Sequence, residues 1–138
     1  MKLGFIGTGK ITSAVITGIC SSSITYKKII ISHRNKSISS TLKKKFKKIT
    51  ISKDNQEIVN SCDWIFLSVT PMVGEKIIKN LKFRSNQTII SFISTITLAQ
   101  LKKAIKVKAK IVRAIPLPPI SLKKGPVPIC PPNKKVKD

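Results

Sequence analysis

The chain has 138 residues, enough for one hydrophobic core and too few for two well-packed domains. It is 41% hydrophobic with a mean hydropathy of +0.08, a folded composition, and no apolar run nears the roughly 18 residues that span a bilayer. The 27 basic residues against 5 acidic ones give a formal net charge of +22, but 24 are lysines, they run along the whole chain, and aromatics are only 5%.

That mixture argues against a nucleic-acid partner, because base edges call for arginine and base stacking calls for aromatic rings. Abundant lysine and isoleucine fit drift in an AT-rich genome. A positive field still favours a phosphate-bearing ligand. Leu3–Ile6 is cut by Gly7-Thr8-Gly9 and is no export signal, so no membrane attachment and a cytoplasmic location are expected. Cys20, Cys62 and Cys130 form no C-x-x-C pair, and with the single His33 they supply neither a disulfide framework nor a metal site.

Lys2–Ile6 reads as a buried strand, followed by Ile11, Ala14, Val15, Gly18 and Ile19 at helical spacing. Lys28–Ser32 is a second, β-branched strand, and Ser37–Lys48 a basic helix with Leu42 and Phe46 on one face. Ile49–Ser52 is a third strand. Asp54–Ser61 is a short helix with Asp54 as its cap and Glu57 three residues on. Trp64–Val69 is a fully buried strand, Pro71 breaks the chain, and a helix follows over about Val73–Leu81. Thr88–Ile93 is a strand, Leu98–Ile105 a helix capped by Thr97, and Lys110–Ile115 a strand. Such alternation predicts an α/β fold: a doubly wound, mostly parallel sheet with helices on both faces, over residues 1–116. Residues 117–138 form a Pro-rich extension where helix is nearly excluded. It has room for one edge strand at Val127–Cys130 and a mobile basic tail over Asn133–Asp138.

Gly7-Thr8-Gly9-Lys10-Ile11-Thr12 lies between the first strand and the first helix. There Gly7 permits a tight turn and Gly9 lets backbone approach a pyrophosphate seated on the helix N-terminus, while Thr12 fills the position usually held by Gly or Ala. The second strand ends in Ser32-His33-Arg34-Asn35-Lys36, with no carboxylate for an NAD ribose. Arg34 offers a planar fork for a 2′-phosphate and Lys36 adds charge, so NADP (NADPH) is the expected cofactor and dinucleotide the expected ligand.

With these motifs in view, the chain resembles pyrroline-5-carboxylate reductases. The likeness rests on Gly4-Phe5-Ile6-Gly7-Thr8-Gly9, on Asp54-Asn55, and on Cys62-Asp63-Trp64-Ile65-Phe66-Leu67-Ser68-Val69-Thr70-Pro71. Two later segments continue it, Ile90-Ser91-Phe92-Ile93-Ser94-Thr95-Ile96-Thr97-Leu98 and Val112-Arg113-Ala114-Ile115-Pro116. The resemblance implies a Rossmann domain in which Ile6, Gly7, Thr8, Gly9, Lys10 and Ile11 cradle the cofactor phosphates and Arg34 meets the 2′-phosphate. It implies that Asn55 contacts the adenosine side, that Ser68, Val69, Thr70 and Pro71 line the cleft, and that Ser94 and Thr95 lie near the nicotinamide. Pro116 and Leu117 fall on the substrate side.

The implied activity is hydride transfer from NADPH to a cyclic imine, giving proline. No residue is assigned a catalytic role, and a non-catalytic remnant that binds a dinucleotide or a partner subunit is the alternative. Lys10, Thr70, Met72, Leu117 and Pro118 depart from the family pattern. So does Ile93-Ser94-Thr95, which stands where small residues are typical, so that bulk is expected beside the nicotinamide. The family joins its Rossmann domain to an all-helical dimerisation domain that completes the substrate site. A short chain is therefore expected to need a homo-oligomer or a separate helical subunit.

Overall fold

The computed structural model describes residues 1–132. The chain runs β1 (Lys2–Ile6), α1 (Lys10–Cys20), β2 (Lys28–Ser32), α2 (Lys36–Lys45), β3 (Ile49–Ser52) and α3 (Asn55–Ser61). It continues β4 (Trp64–Leu67), α4 (Pro71–Asn80), β5 (Thr88–Ser91), α5 (Leu98–Ile105) and β6 (Lys110–Ala114). A 3₁₀ turn (Pro118–Leu122) and β7 (Ile129–Cys130) close the described part. The expected tail at Asn133–Asp138 lies outside the described residues.

One sheet takes the order β3-β2-β1-β4-β5-β6-β7. Neighbours from β3 to β6 are parallel, and β7 pairs antiparallel with β6 through Arg113↔Cys130 and Ala114↔Ile129. This is the doubly wound Rossmann fold. Successive strand residues point to opposite faces, so Leu3 and Phe5 join one core with Ile29, Ile31, Val15, Ile16 and Leu42 under α1 and α2. Ile6, Ile65 and Leu67 join the other, under α3, α4 and α5, with Ile58, Ile78 and Leu101. The rings of Phe5 and Phe66, register partners across β1 and β4, stack with centroids 4.3 Å apart.

Several expected boundaries shift for local reasons. Helix α2 ends at Lys45; Phe46 caps it in an extended conformation (φ −127°, ψ 114°), although its N–H still bonds the Leu42 carbonyl at 3.0 Å. Pro71 does not interrupt the chain ahead of α4 but opens it, in the first turn where no N–H is needed. The strand expected to reach Val69 stops at Leu67, and that expected to reach Ile93 stops at Ser91. The prolines beyond residue 116 permit a 3₁₀ turn, again with proline at its start. This turn packs on α1 so closely that a Cβ on Gly18 would lie 2.5 Å from the Ile120 carbonyl oxygen.

Candidate functional site

The sheet order reverses at β1, whose neighbours are β2 and β4. The helix after β1 covers one face and the helix after β4 the other. Their connections diverge and leave a crevice at the carboxyl ends of the strands, the usual ligand position in an open α/β sheet.

The turn after β1 is rigidly held. Gly7 has φ +99°, and a Cβ there would lie 2.1 Å from the Ser68 carbonyl oxygen, so only glycine fits. Its N–H donates to the Ser32 hydroxyl at 2.9 Å. Thr8 donates its hydroxyl to the Ser32 carbonyl at 3.2 Å and accepts from the Asn35 N–H at 3.2 Å. Thr12, fully buried, donates to the Gly7 carbonyl at 2.9 Å and shares a 2.8 Å contact with the Ser68 hydroxyl. The hydroxyls of Thr8, Thr12 and Ser32 thus tie the turn to the ends of β2 and β4 before any ligand arrives. Gly9 differs: its φ is −88°, and a Cβ there would meet nothing within 4 Å. It is the N-cap of α1 with no side-chain cap and no acidic residue in the first turn, so the first N–H groups of α1 are open to an anion.

A crevice of about 570 Å³ is lined by Gly7, Thr8, Gly9, Arg34, Asn35, Lys36, Ser68, Val69 and Thr70. A recess of about 280 Å³ continues it between the ends of β2 and β3 and reaches Asn55. The other expected site residues are placed as follows. Ile6 is fully buried, so only its backbone can face the crevice. Lys10 opens α1 on the surface, Ile11 is half-buried behind it, and Pro71 is exposed at the start of α4. Ser94 and Thr95 are exposed in the turn after β5. Pro116 instead lines a separate apolar cavity of about 460 Å³ beside Trp64 and Phe66, and Leu117 is exposed.

Ile93 does not add bulk to the crevice. It is 3% exposed in the core beneath α4 and α5, where a Cβ on Gly74 would lie 2.9 Å from its Cδ1; a small residue facing a large one keeps the layer filled. The roles of Ser32 and Thr12, and the presence of Lys53 in the recess, were not foreseen. Asn35 could have been, since it is a good capping residue ahead of a helix and accepts from the Ile38 N–H at 3.1 Å.

The electrostatics of the crevice are one-sided. Arg34 and Lys36 line it, Lys53 lines the adjoining recess, and among the described residues every carboxylate is engaged elsewhere. Asp54 caps α3 through the Gln56 N–H at 2.8 Å, and Glu57 bonds the Ser52 hydroxyl rather than the cap. Asp63 accepts from the Lys2 N–H at 2.7 Å, and Glu75 pairs with Lys79 at 3.6 Å. The groups with shifted proton affinity also lie away from the crevice. Burial pushes the Cys62 thiol up to about 11, helped by Asp63, and burial with a bond to Cys20 pushes Tyr26 up to about 12. Among the described residues there is no cluster of His, Cys, Asp and Glu that could hold a metal ion, and no helix is long and apolar enough to cross a membrane.

Residues 2–95 match the family model described as NADP oxidoreductase, coenzyme F420-dependent. Pyrroline-5-carboxylate reductase 3 of Danio rerio is 29% identical over 128 residues, covering 91% of this chain and 44% of that protein. Pyrroline-5-carboxylate reductase of Methanosarcina acetivorans is 30% identical over 123 residues, covering 83% of this chain and 43% of that protein. A crystal structure of Plasmodium falciparum pyrroline carboxylate reductase with NADP bound superposes with a TM-score of 0.80 at 25% identity, over 98% of this chain and 50% of the other. The chain thus spans less than half the length of the curated relatives it matches. It belongs to the NADP oxidoreductase, coenzyme F420-dependent family, as a domain like the N-terminal, NADP-binding part of pyrroline-5-carboxylate reductases.

Proposed function

We propose that the chain is the cofactor-binding part of an NADP-dependent reductase acting on a cyclic imine, as the names of its relatives indicate. The observation that carries this reading is Gly9. Nothing in the fold requires glycine there, since its backbone angles suit any residue and a Cβ would meet open space. A ligand that comes against the backbone does require it. The residues around Gly9 fit a dinucleotide: open N–H groups at the start of α1 for the pyrophosphate, and Arg34 and Lys36 in place of a ribose-binding carboxylate. The chemistry such a cofactor supplies is hydride delivery to the carbon of a C=N bond, with a proton going to nitrogen. This chain's residues bind and orient: Gly9 to Ile11 hold the phosphates, Ser68 to Pro71 wall the cleft, Asn55 meets the adenosine side, and Ser94 and Thr95 border the nicotinamide end. Pro116 and Leu117 would bear on the imine only through a further helical part, contributed by the same chain, a second copy or a separate subunit.

A second reading, a dinucleotide binder without turnover, is favoured by one observation. Among the described residues, no carboxylate faces the crevice to steer a proton. Calorimetric titration with NADPH and then NADH, followed by an assay of pyrroline-5-carboxylate reduction, separates the two. NADPH binding with turnover supports the reductase, binding without turnover supports the second reading, and absence of any binding overturns both. Arg34→Ala should weaken NADPH binding by about 1–3 kcal/mol, the range for a charged hydrogen bond, and leave NADH binding unchanged. Equal losses would remove Arg34 from the 2′-phosphate.

A further inference from the structure

Strands β2 and β3 are parallel neighbours with Ser32 opposite Ser52, and the His33 N–H continues the ladder to the Ser52 carbonyl at 3.1 Å. The residues that leave these two strands therefore emerge side by side. From β2 come Arg34 and Lys36; from β3 comes Lys53. All three line the recess of about 280 Å³, which joins the main crevice through Gly7, Arg34, Lys36 and Val69. No acidic residue lines either space.

The two carboxylates close to Lys53 in sequence are both held by other partners. Asp54 is spent on the cap of α3, and Glu57 on the Ser52 hydroxyl. The Asp54 N–H in turn donates to Ser52 Oγ at 3.1 Å, which fixes the turn that carries Lys53. Lys53 is exposed and has no role in the core. An uncompensated set of three cations, converging from two strand ends on one recess, is matched by a doubly charged phosphate monoester and poorly matched by a neutral ribose hydroxyl.

Resting on the dinucleotide reading above, we infer that Lys53 is a specificity-determining residue. It is the third cation of a subsite for the phosphate monoester on the adenosine ribose, and it favours the phosphorylated dinucleotide over the unphosphorylated one. Arg34 supplies the directional fork, while Lys36 and Lys53 flank it as mobile point charges.

The test is calorimetric titration of the full chain and of Lys53→Gln with NADPH, NADH and 2′-phospho-AMP, at low and at moderate salt. Lys47→Gln, on the surface after α2, is the control for the loss of one positive charge anywhere on the molecule. The expected result is that Lys53→Gln weakens NADPH and 2′-phospho-AMP about tenfold, the scale of one hydrogen bond to a charged group. NADH should change less than about twofold, and the salt dependence of NADPH binding should become shallower. Lys47→Gln should match the parent chain. A Lys53→Gln chain that binds all ligands as the parent does, or that loses NADPH and NADH equally, would overturn the inference and leave dinucleotide binding standing. A parent chain that binds neither dinucleotide would overturn the dinucleotide reading itself, and this inference with it.

Discussion

The two glycines of the first turn, to which the motif gives different tasks, also differ in what surrounds them in the structure. Gly7 is required by the fold: at φ +99° with the Ser68 carbonyl in the way of a Cβ, Gly7→Ala forces the turn off the end of β4. It should lower stability by roughly 1–3 kcal/mol, the scale of a residue held in an unfavourable conformation. Gly9→Ala adds a methyl group where there is open space, so its melting temperature should equal that of the parent while dinucleotide affinity falls by tenfold or more. Thermal denaturation and titration of the two variants check both halves. A Gly9→Ala chain that binds normally would show that no ligand approaches the backbone there. The spacing of these glycines was legible in the sequence because it lies between an apolar run and a helical period. Their different tasks were legible too, but not what bars a side chain at Gly7, since that is the carbonyl of Ser68, sixty-one residues further along the chain. The same holds for Ser32 and Thr12, whose hydroxyls close on the turn only once β1, β2 and β4 are side by side.

At the scale of elements, apolar runs, helical spacing, caps and Pro71 located every strand from β1 to β6 and every helix from α1 to α5, but not where all of them stop. Val69 continues the apolar run of β4 in sequence, yet the chain has already left the sheet to enter the crevice. One serine, Ser68, separates Val69 from the run, and a lone small polar residue is tolerated inside a strand as well as at its end, so it gives only a weak end signal. The 3₁₀ turn at Pro118–Leu122 was hidden for the opposite reason, because proline forbids a helix interior and permits its first turn. A polar joint between elements was hidden as well. Gln87, 1% exposed before β5, donates from Nε2 to the carbonyls of Val59 at 2.6 Å and Cys62 at 2.9 Å. It also accepts the Arg84 N–H at 2.8 Å. These are terminal carbonyls of α3, which the helix itself cannot satisfy. Gln87→Leu keeps the volume and removes the donors, and should cost roughly 1–3 kcal/mol, chiefly for the Val59 carbonyl left unpaired, since the Cys62 carbonyl also accepts from Arg84 Nη2 at 3.1 Å. Chemical denaturation should report this loss with dinucleotide affinity unchanged, because Gln87 lies at the amino end of β5, away from the crevice.

Over the whole molecule the excess charge acts on folding and on binding with opposite signs. With 27 basic residues against 5 acidic ones, most cations have no anion to pair with, and the one ion pair among the described residues is the exposed Glu75–Lys79 contact. Unpaired like charges at this density repel one another and destabilise the compact state, and salt screens that repulsion over about 10 Å at 0.1 M. Added sodium chloride should therefore raise the melting temperature, by roughly 3–6 °C for each kcal/mol of repulsion removed in a chain of this size. The same screening weakens the attraction of Arg34, Lys36 and Lys53 for a polyanionic ligand, so NADPH affinity should fall over the same salt range. Melting curves and titrations at low and moderate salt measure the two together. A chain that gains stability while losing affinity has a charge surplus that is a burden on the fold and an asset at the carboxyl ends of β2 and β3. A melting temperature that falls with salt would mean that attractive pairs outweigh repulsion in the folded chain, and the surplus would then need a structural explanation rather than a compositional one.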